Sequence, residues 1–217
     1  MLITSRSAAE YRAMFDLAEL ATDSILDCCA GGAGFTTETG GAAVALDPVY
    51  AQGQAKLAET VRTGQQGASA ISYANAEHFD WSWYGNRERR EEMRADAAKR
   101  FLADLADRPG HYIAGDAHHL PFADNSFDLV LCSHLLFTWS DVLDQDWHER
   151  AIAELVRVSR HEVRIFPTVV QKTGGAVPFL PALRAEFAAR GVPSRLAKVP
   201  YLFQVGADEM LVFSANR

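Results

Sequence analysis

A handful of residues in two short stretches carry the chemistry available to this sequence. Ser24 to Pro48 reads SILDCCAGGAGFTTETGGAAVALDP: the end of an apolar strand, a glycine-rich turn, a helix start, a second strand and a closing aspartate, Asp47. Gly115 to Leu136 reads GDAHHLPFADNSFDLVLCSHLL. It supplies Asp116 after a further strand, then a loop, then a buried strand with Ser133 and His134 just past its end. A glycine turn after a strand lets a ligand lie against the backbone, and an acid ending the next strand accepts hydrogen bonds from ribose hydroxyls. A third acid opposite these can meet an adenine. Asp27, Gly31, Asp47 and Asp116 together describe a nucleoside-cofactor site spread over three strand ends.

The elements that must position these residues follow from local patterns. Ser7 and Glu10 have capping-box spacing, and the helix after them groups Tyr11, Met14, Phe15 and Ala18 on one face. Strands are expected at Ser24 to Leu26, Ala42 to Leu46, Tyr112 to Ala114, Leu129 to Cys132 and Val163 to Phe166. The apolar, unalternating composition of Ala42 to Leu46 suits a parallel strand covered on both faces. Helices are expected from Phe35, over Gln52 to Arg62, over Asn86 to Asp107, over Asp144 to Arg160 and over Pro178 to Arg190. Tyr201 to Val205 and Met210 to Phe213 flank Gly206-Ala207-Asp208 as a hairpin. Strands alternating with helices give an α/β fold, Rossmann-like and doubly wound, with a mainly parallel seven-stranded sheet and an antiparallel C-terminal hairpin strand. Residues 1–217 read as a single domain. An aromatic-rich, helical insertion or cap is expected at about 64–108; it holds Trp81, Trp83 and Tyr84.

Composition narrows the function. The 21 basic and 28 acidic residues leave a net charge of −7, which argues against broad nucleic-acid binding. Three cysteines, two of them adjacent, make no disulfide framework and no zinc spacing. His118 and His119 are neighbours with no third ligand nearby, so no metal is expected. No apolar signal core and no run long enough to span a bilayer occur, which leads to the expectation of a soluble, cytoplasmic protein. Oligomeric state leaves no mark on the sequence.

These motifs resemble the class I S-adenosylmethionine-dependent methyltransferases, in particular the bacterial small-molecule group of methyltransferase type 11. LDCCAGGAG is similar to the family's strand and glycine loop, ALDP to the acid ending the second strand, GDAHHLPFADNSFDLVLCSHLL to the third-strand and fourth-strand motifs, and YLFQVGADEMLVF to the terminal hairpin. The resemblance implies S-adenosylmethionine as cofactor, held by Asp27, Cys29, Gly31, Asp47, Asp116, Ala117 and Ser133. It implies methyl transfer to an O, N or C nucleophile on a small molecule. Cys29 and Ala33 depart from it, standing where the family usually has its first and third glycines.

His134 is the candidate general base, because an imidazole titrates near neutrality. Trp81, Trp83 and Tyr84 are either a substrate wall or the insertion's own core. Arg87, Arg89, Arg90 and Arg94, interleaved with glutamates, are either a solvated helix face or an anion site. Two other functions stay open. A domain of the same fold that binds a nucleoside or a partner without catalysis would explain Cys29 and Ala33. An NAD-dependent oxidoreductase would fit the spacing of Gly31 and Gly34 but not the DAHHLPF segment.

Overall fold

The computed structural model describes residues 3–17, 22, 24–32, 34–171 and 173–215. Ala18 and Ala33 lie outside the described residues. The strands are β1 (Ile25–Cys28), β2 (Ala43–Leu46), β3 (Tyr112–Ile113), β4 (Phe127–Ser133), β5 (Ser159–Phe166), β6 (Ser194–Lys198) and β7 (Glu209–Ser214). They form one sheet in the order β3-β2-β1-β4-β5-β7-β6. The first five are mutually parallel, and β7 runs antiparallel to both β5 and β6. This is the doubly wound, mainly parallel sheet expected, with strand order reversing at β1 and β4. In such sheets ligands bind outside the carboxyl ends of the strands where the order reverses.

The helices are α1 (Ala8–Met14), α2 (Gln54–Ala74), α3 (Arg87–Asp107), α4 (Gln145–Val158) and α5 (Leu180–Ala189). Side chains alternate between the faces of a strand. Ile25, Ala43, Ala45, Leu129 and Leu131 therefore pack on one side, with Tyr11, Leu57 and Phe101 of α1, α2 and α3. Leu26, Cys28, Val130, Cys132 and Ile165 pack on the other, with Ile152, Leu155 and Leu183 of α4 and α5. Asp27, between Leu26 and Cys28, shares the face of Ile25 and points towards α1.

Four local expectations differ from the structure. The stretch after the glycine loop forms only a 3₁₀ turn, Thr36–Glu38, because Gly40 and Gly41 follow with φ of +65° and +102° and end it. The helix expected over Gln52 to Arg62 runs instead to Ala74, straight through Gly64. A Cβ at Gly64 would lie 2.1 Å from the carbonyl oxygen of Ile3, so this glycine marks a backbone crossing and not a helix end. The first arm of the terminal hairpin is β6, Ser194–Lys198, and not Tyr201 to Val205. Tyr201 and Phe203 are buried against Trp83, Tyr84 and Trp81 instead. The third strand stops at Ile113, whereas the fourth and fifth begin earlier than expected, at Phe127 and Ser159.

The segment of residues 3–6 threads between the glycine loop and α2. The carbonyl oxygens of Thr4 and Arg6 accept the N–H groups of Gly32 and Gly34 at 3.3 and 2.9 Å. A Cβ at Gly32 would sit 2.7 Å from Ser5 Oγ. Ser7 then caps α1, with Glu10 completing the capping box as expected. Glu10 is fully buried, and its Oε1 accepts from Arg94 Nη2 at 3.0 Å and Nε at 3.2 Å. Tyr84 donates its hydroxyl to the same carboxylate and meets Tyr201 at 2.7 Å. Burial opposes ionisation of Glu10, but Arg94 and Arg6 outweigh it and hold its carboxyl below the usual range. Gln is tolerated at this capping-box position but cannot pair with a cation. Glu10→Gln should therefore cost about 3–5 kcal/mol of stability in urea denaturation, the penalty of a buried charge left unpaired. A loss no larger than that of an exposed pair, below about 1 kcal/mol, would show that Arg94 is hydrated.

Candidate active site

The site is built at the carboxyl ends of β1, β2 and β4. Where β1 ends, Cys29 turns the chain with φ +61°, a left-handed conformation that suits glycine and strains other residues. The Cys29 and Ala30 N–H groups are accepted by Leu46 O at 2.7 and 3.2 Å. Gly31, with φ +58°, donates its N–H to Asp47 Oδ2 at 3.0 Å, and its carbonyl accepts from Tyr50 Oη at 2.6 Å. Asp47 Oδ1 accepts from Val49 N at 2.9 Å, so this acid also caps the short turn after β2. Asp47 is 4% exposed, and burial raises its pKa.

One cavity is walled by Tyr11, Cys29, Gly31, Asp47, Ser133 and His134, together with Arg6 and Gln171. Of the residues singled out from sequence, Cys29, Gly31, Asp47, Ser133 and His134 are thus brought together. Asp27, Asp116 and Ala117 do not line this cavity. Asp27 is fully buried beneath it, with Oδ1 accepting from Tyr11 Oη at 3.0 Å and Oδ2 without a partner. Burial pushes its pKa up to about 8, which leaves it largely protonated near neutrality. Asp116 is exposed beyond β3, and its Oδ1 accepts from His118 N at 2.8 Å, a turn-closing bond. Ala117 is buried in the core beside α4. Asp47 N donates to Ile113 O at 3.1 Å, so the β3 end that leads to Asp116 lies along the same sheet edge.

His134 also has a left-handed backbone, φ +55°, held by its N–H to Phe166 O at 2.7 Å. Its Nδ1 lies 2.9 Å from Ser133 Oγ. Burial, followed by the charges of Arg6 and Arg94, pushes its pKa well below the usual imidazole value. The ring is therefore held neutral, with its protonated form disfavoured. Trp81, Trp83 and Tyr84 do not line either of the two cavities at this end of the molecule. They pack on one another and on Tyr201 and Phe203, as the core of the 79–85 segment. Arg6, Tyr11, Thr138, Trp139 and Gln171 are wall residues that sequence reasoning missed. No group of three or more metal-ligating side chains exists among the described residues.

The donor set suits a nucleoside. Each Asp47 oxygen spends one lone pair on a backbone N–H, leaving acceptor capacity for hydroxyls. The clearance beside Gly31 is taken up by the chain itself: a Cβ there would meet Ile3 and the Thr4 carbonyl at 3.4 Å.

Comparison with known proteins agrees with the geometry. Residues 79–166 match the family model of the methyltransferase domain. That segment covers β3 to β5, including Asp116, Ser133 and His134, but not the glycine loop or Asp47. An uncharacterized protein of Methanocaldococcus jannaschii, MJ0045, is 26% identical over 216 residues, 97% of this chain and 95% of that protein. A demethylmenaquinone methyltransferase of Paenarthrobacter aurescens is 34% identical over 88 residues, 41% of this chain and 32% of that enzyme. The crystal structure of the PH0226 protein from Pyrococcus horikoshii shares the fold, with a TM-score of 0.50 and 12% identity over 95% of this chain and 90% of that one. The matched segment is similar to that of the class I S-adenosylmethionine-dependent methyltransferases, and the strand order fits their sheet. S-adenosylmethionine is the cofactor of that class.

Two expectations follow from the loop and from Asp27. Cys29→Gly should leave stability within about 1 kcal/mol of wild type, since relief of backbone strain offsets the added chain entropy. Cys29→Val should cost about 2 kcal/mol or more in thermal unfolding, a β-branched side chain being poorly tolerated at this φ. Equal losses in both would mean that the thiol contacts, not the backbone, set the residue. Asp27 holds its proton more tightly folded (about 8) than unfolded (3.8). Its contribution to stability is therefore present below pH 4 and is lost as pH rises through about 8. Asp27→Asn should flatten the fall in stability across that window, measured as urea midpoints against pH. An unchanged slope would assign the dependence to another group.

Proposed function

We propose that this chain transfers the methyl group of S-adenosylmethionine to an O, N or C nucleophile on a small molecule in the cytoplasm. The observation that carries this reading is the convergence of Asp47 and His134 on one cavity at the carboxyl edge of a parallel sheet. When bound, S-adenosylmethionine supplies an electrophilic methyl group on a sulfonium. Asp47 would accept from the ribose hydroxyls, and its bond to Gly31 N fixes the loop at the cavity wall. Asp27 acts through Tyr11, whose hydroxyl it orients at the cavity wall. Asp116 and the backbone of Ala117 stand on the adjoining strand end, where they would meet the adenine. Ser133 holds the His134 ring through Nδ1, which places the neutral imidazole to take the proton of the acceptor nucleophile; that nucleophile would take the methyl, and the C–S electron pair would stay with the departing neutral thioether. Much of the acceleration comes from holding nucleophile and methyl in line.

The net charge of −7 favours a small acceptor over a nucleic acid. The three thiols, none in a disulfide, suit a reducing compartment.

Calorimetric titration with S-adenosylhomocysteine tests the reading, with NAD in a parallel cell. Wild type should bind the homocysteine product and not NAD. Asp47→Ala should weaken binding by about 1–3 kcal/mol, the cost of leaving buried partners unpaired. Because Asp47 also anchors Gly31, the thermal midpoint of the variant is measured alongside. An unchanged dissociation constant would remove Asp47 from the site, and binding of NAD alone would replace the cofactor.

A further inference from the structure

A second cavity adjoins the first and shares Thr4, Arg6, His134 and Gln171 with it. Its remaining wall has two characters. Ala68, Ile71, Phe79 and Phe203 make it largely apolar, while Arg90 and Arg94 of α3 join Arg6 to make it cationic. Buried arginines are rare unless they are paired. Arg94 is paired with Glu10. Arg90 is 2% exposed; its Nη1 reaches Glu91 at 2.6 Å, its guanidinium stacks 4.7 Å over the Phe203 ring, and its Nε has no partner among the described residues. Arg6 Nε is likewise buried without an acceptor. Burial and the nearby Arg94 lower the pKa of both Arg6 and Arg90, the mark of cations crowded together. Among the described residues, three guanidinium groups thus face two carboxylates, Glu10 and Glu91, a surplus of one positive charge. The interleaved charges of α3 are split by the fold: Arg87 and Arg89 are exposed, while Arg90 and Arg94 turn into the cavity.

A buried N–H without an acceptor is costly. A planar guanidinium with spare donors is the group that recognises a carboxylate, and burial in a low-dielectric wall strengthens the contact. We propose that the methyl acceptor is a small, largely apolar carboxylic acid, its carboxylate seated against Arg90 and Arg6 and its nucleophile directed at His134. The apolar wall receives the body of the molecule. The shared residues Arg6 and His134 keep the nucleophile next to the first cavity. The proposal rests on the methyltransferase reading and adds the class of substrate to it.

Calorimetric titration decides it. Protein saturated with S-adenosylhomocysteine is titrated with benzoate, 4-hydroxybenzoate and indole-3-acetate, each against its own primary amide. At least one carboxylate should bind about tenfold or more tightly than its amide, as expected for charge-assisted hydrogen bonds. Arg90→Gln should abolish that preference while leaving S-adenosylhomocysteine binding unchanged. Ile71 is exposed at the cavity wall, so Ile71→Glu tests the same charge with all three arginines kept. It too should lose the carboxylate preference. Amides that bind as well as the acids, or no binding by any of the three acids, would overturn the proposal. So would carboxylates that displace S-adenosylhomocysteine, since the guanidinium groups would then serve the cofactor's own carboxylate. If S-adenosylhomocysteine does not bind, the methyltransferase reading is what fails. The acid-against-amide comparison on the unliganded protein then still decides the anion site.

Discussion

The close approach of residues 3–6 to the glycine loop on one side and α2 on the other is the constraint on which the rest of the molecule depends. Ser5 leaves no room for a Cβ at Gly32, and Ile3 leaves none at Gly64. The same backbone accepts the loop's N–H groups at Gly32 and Gly34. With the segment fixed there, Arg6 reaches both cavities, and α1 starts where Glu10 meets Arg94 and Tyr11 meets Asp27. Glycine loop, buried ion pair and cationic wall are consequences of one threading.

The glycine loop is also held from the sheet side. Asp47 bonds Gly31, Tyr50 bonds the Gly31 carbonyl, and Leu46 O accepts two turn N–H groups. A turn pinned on both flanks tolerates Cys29 in a conformation that favours glycine, because the surrounding hydrogen bonds over-determine it. His134 is the parallel case at the end of β4. Two strained residues therefore face one cavity from neighbouring strands, a common arrangement where backbone strain serves a site.

The parallel sheet was legible because its strands are short apolar runs between turn signals, and Asp47 because an acid followed by proline marks a strand end and a cap. Three kinds of feature were not. Gly64 and Gly67 look like loop punctuation, yet α2 continues through them; a glycine required by a crossing backbone has the same letter as one that ends a helix. The hairpin arm was misplaced because Tyr201 to Val205 has strand-like composition, while Ser194 to Lys198, an exposed edge strand, does not. The site was only half visible. Motif residues next to strand ends could be named, but Arg6 and Gln171 lie far from any motif. Arg90 and Arg94 are set apart from Arg87 and Arg89 only by helical phase: i and i+4 share a face. That spacing was the available signal, and the glutamates between them masked it.

Gly64 gives up helix propensity at the middle of a 21-residue helix for the sake of a contact with Ile3. The helix is weakest where it leans on the segment that walls the cavity. Loosening of either removes the support of the other. Fraying of α2 and exposure of the ligand chamber are thereby coupled, and a molecule that fills the chamber will register as added protection of the α2 amides around Gly64.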